Sequence, residues 1–272
     1  MNNFTKRALT GAVFVTVLLG CTYWGQVSFA VLFFIITILG VWEFYGLAEK
    51  TNAQPQKLFG TLVSASIFAT SALVAIGYFS PSFLLINIPL IFSIFIVELY
   101  SKASNPFKNI AFTLVGVVYI AAPFSLLNFI TLVNGNYSYQ MLFGFFFILW
   151  SNDTGAYLAG SALGKNKLFA RVSPGKSWEG SIGGAILSLV VAYLISEWFT
   201  QITLFDWIII AIILIVVGTL GDLVESLFKR SIGVKDSGTI LPGHGGILDR
   251  FDSLILASPF VFTYLYCVKN YL

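Results

Sequence analysis

Nine predominantly apolar stretches, each about as long as a bilayer is thick, limit what this chain can fold into: 8–25, 27–48, 58–79, 82–100, 109–133, 140–163, 178–199, 204–228 and 251–271. Crossing the hydrocarbon core takes about 20 residues of α-helix. The runs are continuous rather than alternating, which suits helices and not the strands of a barrel. The 272 residues are 57% apolar and 10% charged, with a mean hydropathy of +0.88, so there is too little polar surface to cover a water-soluble core. The expected fold class is all-α: a polytopic transmembrane helical bundle of about nine spanning helices. Pro89, Pro123 and Pro259 fall inside three stretches and are expected to kink them.

The basic residues orient this map. Lys6 and Arg7 precede the first stretch, Lys50 and Lys57 follow the second, and Lys102 and Lys108 follow the fourth. Lys165, Lys167, Arg171 and Lys176 lie between the sixth and seventh; Lys229, Arg230, Lys235 and Arg250 lie between the eighth and ninth. Of 15 basic residues only Lys269 falls elsewhere, and the alternate connections carry none. The positive-inside rule then puts the N-terminus and both long loops in the cytoplasm and the C-terminus outside. Lys50, Lys57, Lys102 and Lys108 need no role beyond topology. The net charge of +3 is too small to suggest nucleic acid, and Cys21 and Cys267 both sit in apolar runs, against a disulfide framework. Lys6-Arg7 before an apolar run, with Leu18-Leu19-Gly20-Cys21, loosely resembles a cleaved leader. A retained first helix is the simpler reading.

Chemistry concentrates at the eighth stretch and beyond. From Gly218 to Arg230 helical spacing puts Asp222, Glu225, Ser226 and Lys229 on one face, with Asp222 about 10 Å deeper than Lys229. A carboxylate at that depth needs a cation or a wet cavity: an internal ion pair with Lys229 or Arg230 is one reading, a metal site the other. The continuation brings Lys235, Asp236, His244, Asp249, Arg250 and Asp252 together with Gly238, Gly243, Gly245 and Gly246. Glycines let backbone N–H groups approach an anion, and Asp249 and Asp252 stand where the ninth helix begins. Carboxylates from two neighbouring helix ends among Lys and Arg are what a Mg²⁺-nucleotide site requires. His244 is the single histidine, which argues against zinc and leaves an ordinary loop residue as its other reading.

A second cluster lies in the sixth stretch, Trp150-Ser-Asn152-Asp153-Thr-Gly-Ala-Tyr157. Asp153 is roughly 15 Å from the cytoplasmic end, either a buried protonated acid or part of a site. The following loop carries Ser173-Pro-Gly-Lys176-Ser177-Trp-Glu179-Gly. It lacks the glycine spacing of a phosphate loop, yet hydroxyls and a lysine at a helix start suit phosphate contact. Gly160/Gly164 and Gly180/Gly184 have the spacing of close helix packing. Glu43 and Glu98, near the cytoplasmic ends of the second and fourth stretches, are either interfacial or part of the cavity and stay outside the core assignment.

The run Ser226-x₂-Lys229-Arg230-x₄-Lys235-Asp236-x-Gly238-x₃-Pro242-x-His244-Gly245-Gly246-x₂-Asp249-Arg250-x-Asp252 resembles the signature of phosphatidate cytidylyltransferases (CDP-diacylglycerol synthases). So does Asn152-Asp153-x₂-Ala156-Tyr157 followed by Ser173-Pro-x-Lys176-Ser177-x-Glu179-Gly, in which Ser177 stands where threonine is commoner. The resemblance implies transfer of CMP from CTP to phosphatidate, releasing pyrophosphate, by a multi-pass enzyme of the cell membrane whose site faces the cytoplasm. It implies Asp222 and Asp249 as ligands of Mg²⁺, with a second cation such as K⁺, and a homodimer. Lys229, Arg230, Lys235, Asp236, His244, Arg250 and Asp252 join the catalytic set. Asn152, Asp153, Ser173, Lys176, Ser177, Ser226, Gly245 and Gly246 form the substrate set. Residues 1–135 would be scaffold with dimer contacts and 136–272 would carry the site. Phosphatidate keeps its chains in the bilayer while CTP arrives from water, so inner helix ends are where the two meet. A CTP-dependent polyprenol or phytol kinase and a lipid transporter are the alternatives. The one-sided polar groups and the lack of an internal repeat count against transport.

Overall fold

In lipid each backbone N–H must find its carbonyl locally, so uninterrupted apolar runs become helices. A computed structural model describes residues 3–240, 243 and 245–269. Among them are nine helical rods: α1 Asn3–Trp24, α2 Gln26–Glu49, α3 Lys57–Ile76, α4 Pro81–Tyr100, α5 Pro106–Ile130, α6 Tyr139–Leu163, α7 Trp178–Ser196, α8 Leu204–Ser231 and α9 Leu248–Val268. Seven, α2–α5 and α7–α9, are long and apolar enough to cross a membrane. The apolar part of α1 is the shorter Ala8–Trp24, and α6 has spanning length but carries the Ser151–Thr154 polar run in its middle. The first turn of α4, Pro81–Ile86, is 3₁₀, and π turns interrupt α5 at Val117–Ala121, α8 at Leu214–Gly218 and α9 at Tyr264–Val268. The π turn of α5 lies where Pro123 cannot donate to the carbonyl of Tyr119, so the broken ladder is taken up locally. Exposed apolar side chains recur at helical spacing, as in Leu9, Val13 and Val17 of α1 and Ile182, Ile186 and Val190 of α7. These are stripes suited to acyl chains.

Two short antiparallel hairpins complete the chain. β1 Leu132–Val133 pairs with β2 Asn136–Tyr137 through Asn134-Gly135, both left-handed at φ 52° and 76°, the conformation an Asn-Gly turn favours. β3 Lys167–Phe169 pairs with β4 Ser173–Ser177 between α6 and α7.

The residues cluster into two units. The first holds those up to Phe129 together with Ser231–Phe251; the second holds Ile130–Arg230 and those from Asp252 onward. In the first, Phe33, Phe124 and Phe14 each meet Phe251 edge-on at 5.5–5.9 Å. Tyr45 of α2 is buried against Gly60 of α3 and Gly116 of α5, and its hydroxyl donates to the Thr113 carbonyl at 2.8 Å. In the second, α6 and α7 approach almost backbone to backbone. A Cβ on Gly184 would lie 2.6 Å from the Asn152 carbonyl oxygen, and one on Gly180 2.8 Å from that of Ala156. The expected small-residue packing is therefore real at Gly160, Gly180 and Gly184, and Gly155 and Gly183 extend it. Likewise α8 crosses α9 at Gly221, where a Cβ would be 2.6 Å from the Asp252 carbonyl.

Candidate active site

The close crossings of the second unit determine which polar side chains meet. Ser177 caps α7 by accepting the Gly180 N–H at 3.1 Å, and the hairpin before it delivers Lys176 to α8, where Nζ reaches Asp222 Oδ2 at 2.5 Å. Ser226, one turn on, donates to Asp222 Oδ1 at 3.1 Å. The internal partner that spacing offered, Lys229, is engaged elsewhere: its Nζ lies 2.5 Å from Glu225 Oε2, and both residues are buried. Because α8 touches α9 at Gly221, Asp252 comes near Asp222, and the charged groups acting on it are Asp222, Asp153 and Lys176. Asp153 is exposed rather than an enclosed acid. It lines a cavity of about 200 Å³ with Asn152, Lys176, Ser177 and Thr219. Glu179 holds the loop before β3, accepting the backbone N–H groups of Lys165 and Asn166 at 3.1–3.2 Å. Ser173 is half-buried on β4 and Arg230 is exposed at the end of α8.

The first unit assembles a different group. Asp249 Oδ2 accepts the N–H of Gly246 at 2.8 Å and the N–H of Ser237 at 2.9 Å, and lies 2.8 Å from the Ser237 hydroxyl oxygen. Gly245, at φ 86°, adopts a backbone that L side chains avoid, and a Cβ there would strike the Asp249 carboxylate. The amide of Gly246 thus meets an anion of the chain's own. Lys235, Asp236 and Arg250 are exposed on this segment, while His244 and Pro242 lie outside the described residues. Glu43, left out of the sequence assignment, is buried here with its carboxylate on the start of α9. Its Glu-Phe-Tyr context resembles that of Glu98, so no local signal separates the two. Glu98 is bonded to Asn109 and Gln56 at 2.8 Å, apart from this segment.

The donor set of the second unit fits a hard divalent cation. Such ions take one or two carboxylates and complete their shell with phosphate oxygens and water. Asp222 and Asp252 offer those oxygens, with Asp222 paired to Lys176 and Asp153 nearby. Among the described residues no three His, Cys, Asp or Glu side chains converge to hold an ion alone. Substrate oxygens would have to contribute.

A Haemophilus influenzae phosphatidate cytidylyltransferase is 49% identical over 126 residues, 44% of this chain and 43% of that protein. Proteins of the same name from Staphylococcus haemolyticus and Staphylococcus saprophyticus are 45% and 47% identical over 161 residues, 58% of this chain and 60% of each. The chain thus spans about half the length of the curated relatives it matches. The model of the cytidylyltransferase family matches residues 5–268, from α1 to the last turn of α9, both polar groups included, and the chain belongs to that family.

Proposed function

We propose that this protein transfers the CMP moiety of CTP to phosphatidate at the inner face of the cell membrane, giving CDP-diacylglycerol and pyrophosphate. The observation that carries the reading is the Lys176–Asp222 pair beside Asp252 and Asp153, an acid-rich group with one lysine on otherwise apolar helices. Relatives 45–49% identical over 126–161 residues are named phosphatidate cytidylyltransferase.

A phosphatidate oxygen attacks the α-phosphorus of CTP, a new P–O bond forms, and the bond to the bridging oxygen breaks so that its electron pair leaves with pyrophosphate. The attacking phosphate is already anionic, so positioning and charge neutralisation carry the rate rather than a strong base. Lys176, Ser226, Lys229, Arg230, Lys235 and Arg250 bind phosphate oxygens. Asn152 and Ser177 shape the pocket wall, Ser173 completes the substrate set, and Asp153, Asp236, His244 and Asp252 share the remaining polar work. The family resemblance implies Asp222 and Asp249 as the carboxylates for Mg²⁺, a bound ion that would neutralise the phosphates, and Asp252 beside Asp222 would offer a further oxygen. K⁺ as a second cation and a homodimer belong to the same reading.

The test is purified protein in micelles with phosphatidate, Mg²⁺ and CTP labelled at its α-phosphorus. The expected result is lipid-borne label as CDP-diacylglycerol, lost when a chelator is added. Transfer of label from the γ-phosphorus to a lipid alcohol, or lipid movement without turnover, overturns it.

A further inference from the structure

Glu43 lies in α2, six residues before its end at Glu49, and is buried in the first unit. Its two oxygens meet only donors: Oε2 accepts the Ile247 N–H at 3.0 Å, and Oε1 accepts the Leu248 N–H at 3.0 Å and the Ser237 hydroxyl at 2.5 Å. The amides at the start of a helix have no partners within it. Here α9 is capped not by a neighbour in sequence but by a carboxylate from the second helix of the chain. Ser237 Oγ, whose single proton faces Glu43 Oε1, also lies 2.8 Å from Asp249 Oδ2 and accepts the Asp249 N–H at 3.4 Å, so one hydroxyl sits between Glu43 and Asp249. The packing is specific to this arrangement. A Cβ on Gly238 would lie 2.5 Å from Glu43 Oε2, and one on Gly246 would overlap both carboxylate oxygens.

We propose that Glu43 is a positioning residue for the reaction: it clamps Ser237 and the start of α9 so that Asp249 is held in its working orientation, without itself touching substrate. The proposal rests on the cytidylyltransfer reading and on the place of Asp249 in it. A carboxylate is required because every group facing it is a donor. Glutamine would turn an NH₂ against an N–H or O–H, leaving at least one buried donor unmatched. Aspartate keeps the charge and the acceptors but withdraws them by one methylene.

The test compares Glu43→Gln, Glu43→Asp and, as a control at another buried glutamate, Glu98→Gln, in the protein in micelles. Hydrogen exchange of the peptide covering residues 245–249 is followed without substrate or metal. Glu43→Gln should speed exchange there by about tenfold or more, the loss expected when a buried hydrogen bond is left unmade, while Glu98→Gln should leave that peptide unchanged. The Mg²⁺ concentration giving half-maximal CDP-diacylglycerol synthesis should rise several-fold in Glu43→Gln, less in Glu43→Asp, and not at all in Glu98→Gln. Partial unfolding would lower the rate without moving that midpoint, so an unshifted midpoint overturns the proposal. So does wild-type exchange in Glu43→Gln. If the wild-type protein forms no CDP-diacylglycerol, the functional reading fails. The exchange result still decides whether Glu43 clamps the segment.

Discussion

Asp222 is bounded by an ammonium group and a hydroxyl, Lys176 Nζ at 2.5 Å and Ser226 Oγ at 3.1 Å, on a helix whose other face is apolar. Replacing it by asparagine keeps the shape but removes the charge that Lys176 faces and that a divalent ion would use. Asp222→Asn should lower CDP-diacylglycerol formation by about a hundredfold or more, the scale of losing a preorganised electrostatic contact at a reacting centre. Membrane insertion and yield should stay at wild-type level. Wild-type turnover in the purified variant would remove Asp222 from the site. Spacing along α8 offered Lys229 or Arg230 as the partner of Asp222. The observed partner belongs to the loop before α7, where Ser177, Glu179 and the hairpin fix the approach of Lys176. No property of Asp222's own neighbourhood reveals that.

The decisive elements are the pair α6 and α7, whose axes approach because glycine and alanine line both surfaces. Gly184→Leu drives a side chain into the Asn152 carbonyl, 2.6 Å from the added Cβ, and the helices must part. Overpacking of this kind costs about 1–3 kcal/mol. The thermal midpoint of the solubilised protein should fall by several degrees, and activity should fall with it because Asn152 and Asp153 ride on the displaced face. Gly20→Leu is the matched control, since nothing lies within 4 Å of a Cβ at that position. An unchanged midpoint in Gly184→Leu would show that the helix pair tolerates separation. At α9 the cap comes from Glu43 on α2 rather than from the preceding turn, so the helix start and the loop before it share one support.

For the whole molecule the sharp expectation is topology. Basic residues fall on alternate connections, so the loops that carry Lys102 and Lys165 are expected in the cytoplasm and those at Ser80 and Thr200 outside. In a variant with Cys21 and Cys267 replaced by alanine, single cysteines at Ser80 and Thr200 should react with an impermeant thiol reagent on intact cells. Those at Lys102 and Lys165 should react only after permeabilisation. The reverse pattern would place the candidate site on the outer face, away from cytoplasmic CTP, and the proposed reaction would fail with it.

Helix number and position were determined by the sequence alone, because lipid forces each spanning segment to satisfy its own backbone and so writes the element into a local run of apolar residues. The signature from Ser226 to Asp252 was likewise legible as a string. Pairing was not. Lys176 with Asp222 and Glu43 with the start of α9 are decided by where glycines let helices cross and by which loop a cap holds in place. A charge selects its partner by distance in space, and distance along the chain carries almost no record of it.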